Sequence, residues 1–209
     1  LGFLFTLHGA LPSYVSSTFL SRFTSENLVG ILYAISATLT IISFIYIPHF
    51  LRKLGNYKMI ILLLAIDLIC TLNMAWSDNF YVIALSFIVG FVSLAIIGFN
   101  IDIFLESYSK DSITGKIRGS FLSTANIAWI IAPLIGSFIL TDGDYWKIFT
   151  ASAILVLPII FLLFHNLKNF RDSEYREIPL KKTFWEVIKN KNIRSIFFGS
   201  FLLHFFYSW

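Results

Sequence analysis

The sequence predicts an all-α protein, a polytopic bundle whose helices cross a membrane several times. Three observations carry this. Of the 209 residues, 57% are hydrophobic and 13% charged, with a mean hydropathy of +0.78, whereas a soluble domain carries about 25% charge. The apolar residues come in blocks that approach the roughly 20 residues an α-helix needs to cross a bilayer core. The breaks between blocks are short, and backbone groups in hydrocarbon must be bonded internally, which favours helices over the weakly alternating strands of a barrel.

Taken in order, the blocks predict helices near 1–19, 28–48, 59–76, 80–106, 119–140, 147–165 and from 194 onward. The first and last run to the chain ends, so the chain is expected to be a piece of a longer protein. No basic start and small-residue cleavage site precede the first block, so insertion is expected to use the helices themselves. Cys70 is the only cysteine and sits inside an apolar block. That excludes an intrachain disulfide and a cysteine-rich metal site, and no cofactor is expected.

Orientation follows from the basic residues, because positively charged short loops stay on the cytoplasmic side. The second break holds Arg52, Lys53 and Lys58, and the fourth holds Lys110, Lys116 and Arg118. The sixth holds Lys168, Arg171, Arg176, Lys181, Lys182, Lys189, Lys191 and Arg194. Only Arg22 and Lys147 fall elsewhere, near Glu26, Asp78, Asp142 and Asp144. The N-terminal side and the sixth break are therefore expected in the cytoplasm of a multi-pass plasma-membrane protein. The same distribution accounts for the net charge of +4 as topology and lipid-headgroup contact, so nucleic-acid binding is rejected.

The sixth break is the long one and carries both signs of charge. After Pro179, the residues Leu180, Phe184 and Ile188 recur every four positions among Lys181, Lys182, Glu186 and Lys189, the pattern of a helix lying in the headgroup plane. The organisation read from the chain is a six-helix bundle over 1–166, a cytoplasmic linker with an amphipathic helix over 167–193, and the start of a seventh helix over 194–209.

Polar residues repeating along one side of a membrane helix point to a water-filled or protein-filled face. The second helix carries Tyr33, Ser36, Thr40 and Ser43, the fourth Ser86, Ser93 and Asn100, and the fifth Ser123, Asn126, Pro133 and Ser137. Small polar residues also join helices by close packing and hydrogen bonds. Three whole stripes favour a shared solute cavity, with His8 added from the first helix. Ionisable groups at mid-bilayer are costly and are functional candidates. Asp67 lies about 13 Å beyond Lys58 at 1.5 Å per residue, near the midplane, and it and His8 are the candidates for carrying a proton; a structural role stands open for each. Asp102 and Glu106, one turn apart at the basic end of the fourth helix, call for a basic partner among Arg52, Lys53 and Arg118, or else form a solvated helix end.

The six helices before a long basic loop, the charged turn after the second helix and the Pro/Gly-containing fifth helix together resemble the major facilitator superfamily. Its turn after helix two commonly reads G-x-x-x-D-[RK]-x-G-[RK]-[RK]; here Gly55 and the basic character are kept, while Pro48 and Arg52 stand for the Gly and Asp. Its antiporter motif G-x-x-x-G-P-x-x-G-G on helix five compares with Ala128, Ala132, Pro133, Gly136 and Ser137. Pro133 and Gly136 would serve as a hinge. The resemblance implies two six-helix bundles rocking around a midplane site, with inverted three-helix repeats in each. Helices one, two, four and five would line the path and three and six would lie outside, which sets Asp67 away from the solute. It also implies a gate on the cytoplasmic side, here with Arg52 bonded to Asp102 or Glu106 and Lys53 or Arg118 completing the network.

The function implied is a secondary active transporter moving a small solute by alternating access, coupled to protons, with export suggested by the helix-five motif, and monomeric at full length. Its partners are the lipid bilayer, the solute and protons. Two other classes stay open: a membrane-embedded lipid or glycan transferase, and a non-transporting sensor or interaction protein on the same fold. Against the enzyme, His8, His49, His165 and His204 make no acid/base or metal spacing.

Overall fold

The computed structural model describes every residue except 110–113, 142, 169, 171, 173–174, 176–179 and 208–209, and within helices omits the side chains of 114, 180–184 and 203–207. Lys110, Asp142, Arg171, Arg176 and Pro179, and the side chains of Leu180, Lys181, Lys182, Phe184 and His204, thus lie outside the described residues. The described elements are all helical: α1 (Gly2–Ser13), α2 (Ser16–Leu20), α3 (Glu26–Leu54), α4 (Asn56–Trp76), α5 (Phe80–Tyr108), α6 (Thr114–Ile139), α7 (Tyr145–Leu167), α8 (Leu180–Lys189) and α9 (Lys191–Tyr207). The chain forms two compact units, Leu1–Glu174 and Tyr175–Trp209.

Helices α3 to α7 are long and apolar enough to cross a membrane. The first predicted helix differs: it is broken between α1 and α2. Pro12 has no amide proton for the His8 carbonyl, and the Val15 N–H closes a tight turn onto the Pro12 carbonyl at 3.0 Å. Ser16 Oγ donates to that same carbonyl at 2.8 Å. The turn after the second predicted helix is also shorter than its sequence suggests. Pro48 lies inside α3, and Gly55 alone joins α3 to α4 at φ +75° and ψ 159°, a backbone region that is essentially reserved for glycine. At the start of α5, Asn79 Oδ1 caps the helix by accepting from Tyr81 N at 2.9 Å and Val82 N at 3.4 Å.

The principal packing pairs within the first unit are α4 on α5, α1 on α6, α4 on α7, α1 on α7 and α3 on α5. Exchanging α1 with α5, α3 with α6 and α4 with α7 maps this set onto itself. Two three-helix repeats therefore build the bundle, and three crossings invert the second relative to the first. Ile60, Leu64, Ile97, Ile101, Val156, Ile159 and Leu163 pack α4, α5 and α7 together. Leu7, Ala10 and Leu11 of α1 meet Ala128 and Ala132 of α6, where small side chains let the two helices close in. Outside, α3 exposes Ile31, Ile35, Ile41 and Ile45, and α6 exposes Leu122, Ile130, Leu134 and Phe138. Apolar faces of this extent suit lipid or a protein partner, not water.

In the second unit, α8 and α9 pack on each other. Asn190 separates them, its Oδ1 accepting from Asn192 N at 3.0 Å and Ile193 N at 3.3 Å to cap α9.

Candidate functional site

The two ionisable groups singled out separately in the sequence are joined. His8 and Asp67 are each 1% exposed, and His8 Nε2 lies 2.6 Å from Asp67 Oδ2. On its other side His8 Nδ1 lies 2.9 Å from the Ser152 carbonyl oxygen and 2.8 Å from Ser152 Oγ. The contact ties α1, α4 and α7 at one point. It forms because the His8 and Asp67 side chains stand on the faces that α1 and α4 turn toward α7, beside the fully buried Ser152. On α5, Gly90 lacks a Cβ where one would come within 3.4 Å of Cys70 Cβ and 3.9 Å of Asp67 Oδ1.

The geometry accommodates two proton counts. A carbonyl oxygen can only accept, so a protonated Nδ1 is satisfied by the Ser152 carbonyl, while a bare Nδ1 is satisfied by the Ser152 hydroxyl as donor. With Nδ1 protonated, Nε2 and Oδ2 share one proton; with Nδ1 bare, Nε2–H faces the carboxylate.

The pair borders a cavity of about 140 Å³ whose lining also includes Tyr33, Cys70, Thr71, Ser86, Phe91 and Phe149. Of the predicted stripe residues, the structure brings Tyr33 and Ser86 to this cavity beside His8. Ser86 Oγ also accepts from Asn73 Nδ2 at 3.1 Å. Ser36 and Ser93 are buried, and Ser36 Oγ donates to the Leu32 carbonyl at 2.8 Å. Thr40 Oγ1 donates to the Ser36 carbonyl at 2.8 Å. Ser43 borders a different, apolar groove with His49 and Ile96. Ser123 and Asn126 are exposed, and Ser123 Oγ bonds back to the Gly119 carbonyl at 2.9 Å. The hydroxyls of Ser36, Thr40 and Ser123 are thus satisfied by their own helices.

Asn100 is fully buried, and neither atom of its carboxamide has a partner among the described residues, while its backbone carbonyl accepts from Asn56 Nδ2 at 3.0 Å. Asp67 and Ser152 stand on the two helices expected to lie outside the path, yet both turn inward. Ser152 was not singled out from the sequence.

At the basic end, Arg118 Nη2 lies 3.4 Å from Glu106 Oε2, with the side chains 47% and 73% exposed. Neither Asp102 nor Glu106 pairs with Arg52 or Lys53 among the described contacts, and Arg52 has other interactions of its own. A further acid meets the Gly55 turn: Asp172 Oδ1 accepts from Asn56 N at 2.7 Å, at the first residue of α4, where a helix terminus favours negative charge. Pro133 sits inside α6 and frees the Trp129 carbonyl, which accepts instead from Tyr14 Oη at 3.2 Å. A Cβ at Gly136 would meet nothing within 4 Å.

The family model described as Major Facilitator Superfamily matches residues 1–209. The chain belongs to that superfamily. It is accordingly a multi-pass membrane transporter, and its symmetric helix triplets are those of a facilitator-type bundle. No curated protein and no solved structure matches the chain.

Proposed function

We propose that this facilitator is a proton-coupled secondary transporter that moves a small solute by alternating access, with the His8–Asp67 pair as its proton site. The observation that carries the reading is the 2.6 Å contact between two ionisable groups each 1% exposed, next to a cavity. Loss of the proton would take the donor away from Nδ1 and change the contact of α1 with Ser152 of α7, so proton occupancy and helix contacts are linked. A ligand can shift a two-state equilibrium only through such differential interaction.

In this reading Tyr33 and Ser86 contact the solute with His8, while Ser36, Thr40, Ser43, Ser93, Asn100, Ser123 and Asn126 belong to the wider helix faces around the path. The turn at Gly55 with Arg52 and Lys53, and the pair Glu106–Arg118 with Asp102 nearby, form the gate at the basic end. That end faces the cytoplasm of the plasma membrane, as the positive residues require. Pro133 and Gly136 act as the α6 hinge, and export fits the helix-five motif. The protein works as a monomer and uses no cofactor.

The test is uptake into proteoliposomes of the full-length protein, with an imposed proton gradient, across a panel of labelled sugars, nucleosides and drug-like solutes. Accumulation of at least one solute that collapses with a protonophore is the expected result. Gradient-independent equilibration of every transported solute would contradict proton coupling.

A further inference from the structure

Pro12 and Ser152 suggest how the proton site reaches the α1 backbone. Pro12 leaves the His8 carbonyl without its helical donor, and Ser152 Oγ takes that place, donating to His8 O at 2.8 Å. The same oxygen lies 2.8 Å from His8 Nδ1. One hydroxyl hydrogen cannot serve both at once. We infer that Ser152 is a positioning residue that switches its hydroxyl between the His8 carbonyl and the His8 ring according to whether the His8–Asp67 pair holds its proton. This rests on the proton-site reading above.

With the proton present, Nδ1–H donates to the Ser152 carbonyl and Ser152 Oγ–H donates to the His8 carbonyl. When the pair deprotonates, the imidazolium gives up its Nδ1 proton to water and keeps Nε2–H toward the Asp67 carboxylate. The bare Nδ1 lone pair then faces the Ser152 carbonyl, and the donor that reaches it among the described residues is Ser152 Oγ–H, 2.8 Å away. The hydroxyl turns to the ring, and the His8 carbonyl is left without a partner one turn before the break at Tyr14 and Val15. Proton release thereby loosens the broken first span.

The surroundings do not supply a competing charge. The other titratable groups on the cavity lining are Tyr33 and Cys70. The packed helices keep their other described titratable groups toward the ends: Glu26, Tyr46, His49, Arg52 and Lys53 on α3, Tyr57 and Lys58 on α4, Tyr81, Asp102, Glu106 and Tyr108 on α5, Lys116 and Arg118 on α6, and Tyr145, Lys147 and His165 on α7.

Two substitutions, alone and combined, separate the states. Ser152→Ala removes the donor to the His8 carbonyl with the proton present and the donor to Nδ1 with it absent, one hydrogen bond from each state, so by itself it leaves the proton affinity close to wild type. Pro12→Ala restores an amide donor to the His8 carbonyl, which frees Ser152 for the ring and lets the proton leave more easily. A single hydrogen bond corresponds to about a tenfold change in proton affinity, or about one pH unit.

The experiment is a pH titration of ring ¹⁵N resonances in the full chain, labelled on histidine and reconstituted in bilayers, with His8→Asn to assign the His8 signals. The expected result is a titrating His8 whose midpoint moves down by about one pH unit in Pro12→Ala and stays near wild type in Ser152→Thr, in Ser152→Ala, and in Pro12→Ala combined with Ser152→Ala. A midpoint that does not move in Pro12→Ala, or that falls by as much when Ser152→Ala is also present, would overturn the switch while leaving the proton site standing. A His8 ring that binds no proton across the range would remove both.

Discussion

The buried centre and the basic end hold charges in opposite ways. At the centre, two groups 1% exposed are locked at 2.6 Å, with Ser152 on the far side of the imidazole. At the basic end, Arg118 and Glu106 face each other at 3.4 Å with side chains 47% and 73% exposed. Removing one partner of a buried pair costs about 3–5 kcal/mol because the other is left uncompensated. An exposed pair contributes about 1 kcal/mol at most. A transporter needs both kinds: one site whose occupancy changes the packing of helices, and weak contacts that break without unfolding anything.

The largest effect should come from splitting the centre. Asp67→Ala is expected to destabilise the bundle by about 3–5 kcal/mol, read as a thermal shift in detergent. The paired change His8→Leu with Asp67→Leu should recover most of that loss, since apolar side chains replace the pair together. A double variant no more stable than Asp67→Ala would mean that packing volume, not uncompensated polarity, governs the site.

A smaller effect is expected at the turn. Gly55→Ala places a Cβ at φ +75° and against the Asp172 carboxylate, at about 1–3 kcal/mol. Asp172→Asn keeps an acceptor but removes the charge at the α4 terminus and should cost about 0.3–1 kcal/mol. Equal losses in the two variants would show that the turn depends on the acid more than on the glycine.

Asn100 sharpens the contrast from within the core, because its carboxamide is buried without a described partner. Asn100→Leu should stabilise by about 1 kcal/mol. A clear loss of stability instead would point to an ordered water or solute on that amide. The smallest effect belongs to the exposed end, where Arg118→Ala should change stability by at most about 0.5 kcal/mol. Transport rates measured alongside separate a gate contact, which alters rate, from an ornamental one, which alters neither.

Much of the fold was legible because membrane helices announce themselves by uninterrupted apolar length. The six apolar blocks from residue 28 onward correspond to α3 to α7 and α9, with ends displaced by a few residues. The break in the first block was missed, although Pro12 stood in it, because a proline is tolerated in membrane helices when another group takes the freed carbonyl. Pro48 misled in the other direction, since α3 runs through it. At the site, His8 and Asp67 were found as isolated costs in hydrocarbon, but a sequence does not say which two helices touch. Ser152 had no signal of its own beyond being a hydroxyl in a nearly apolar block. Its partner was visible, however: a proline four residues after a histidine leaves that histidine's carbonyl in want of a donor. Of the stripes, Tyr33 and Ser86 reach the cavity, while Ser36, Thr40 and Ser123 bond back to their own helices, as a hydroxyl does wherever it points.

The central claim, that the His8–Asp67 contact carries the coupling proton, is tested most directly by Asp67→Asn in proteoliposomes. Asn keeps the shape and a polar atom near Nε2 while removing the group that shares the proton. Two rates are compared for the same labelled solute: accumulation driven by a proton gradient, and exchange at equal pH on both sides. The account predicts that accumulation falls to the level of control liposomes while exchange persists within about tenfold of wild type, a cost of about 1.4 kcal/mol in the barrier. Gradient-driven accumulation at the wild-type level in Asp67→Asn would contradict it.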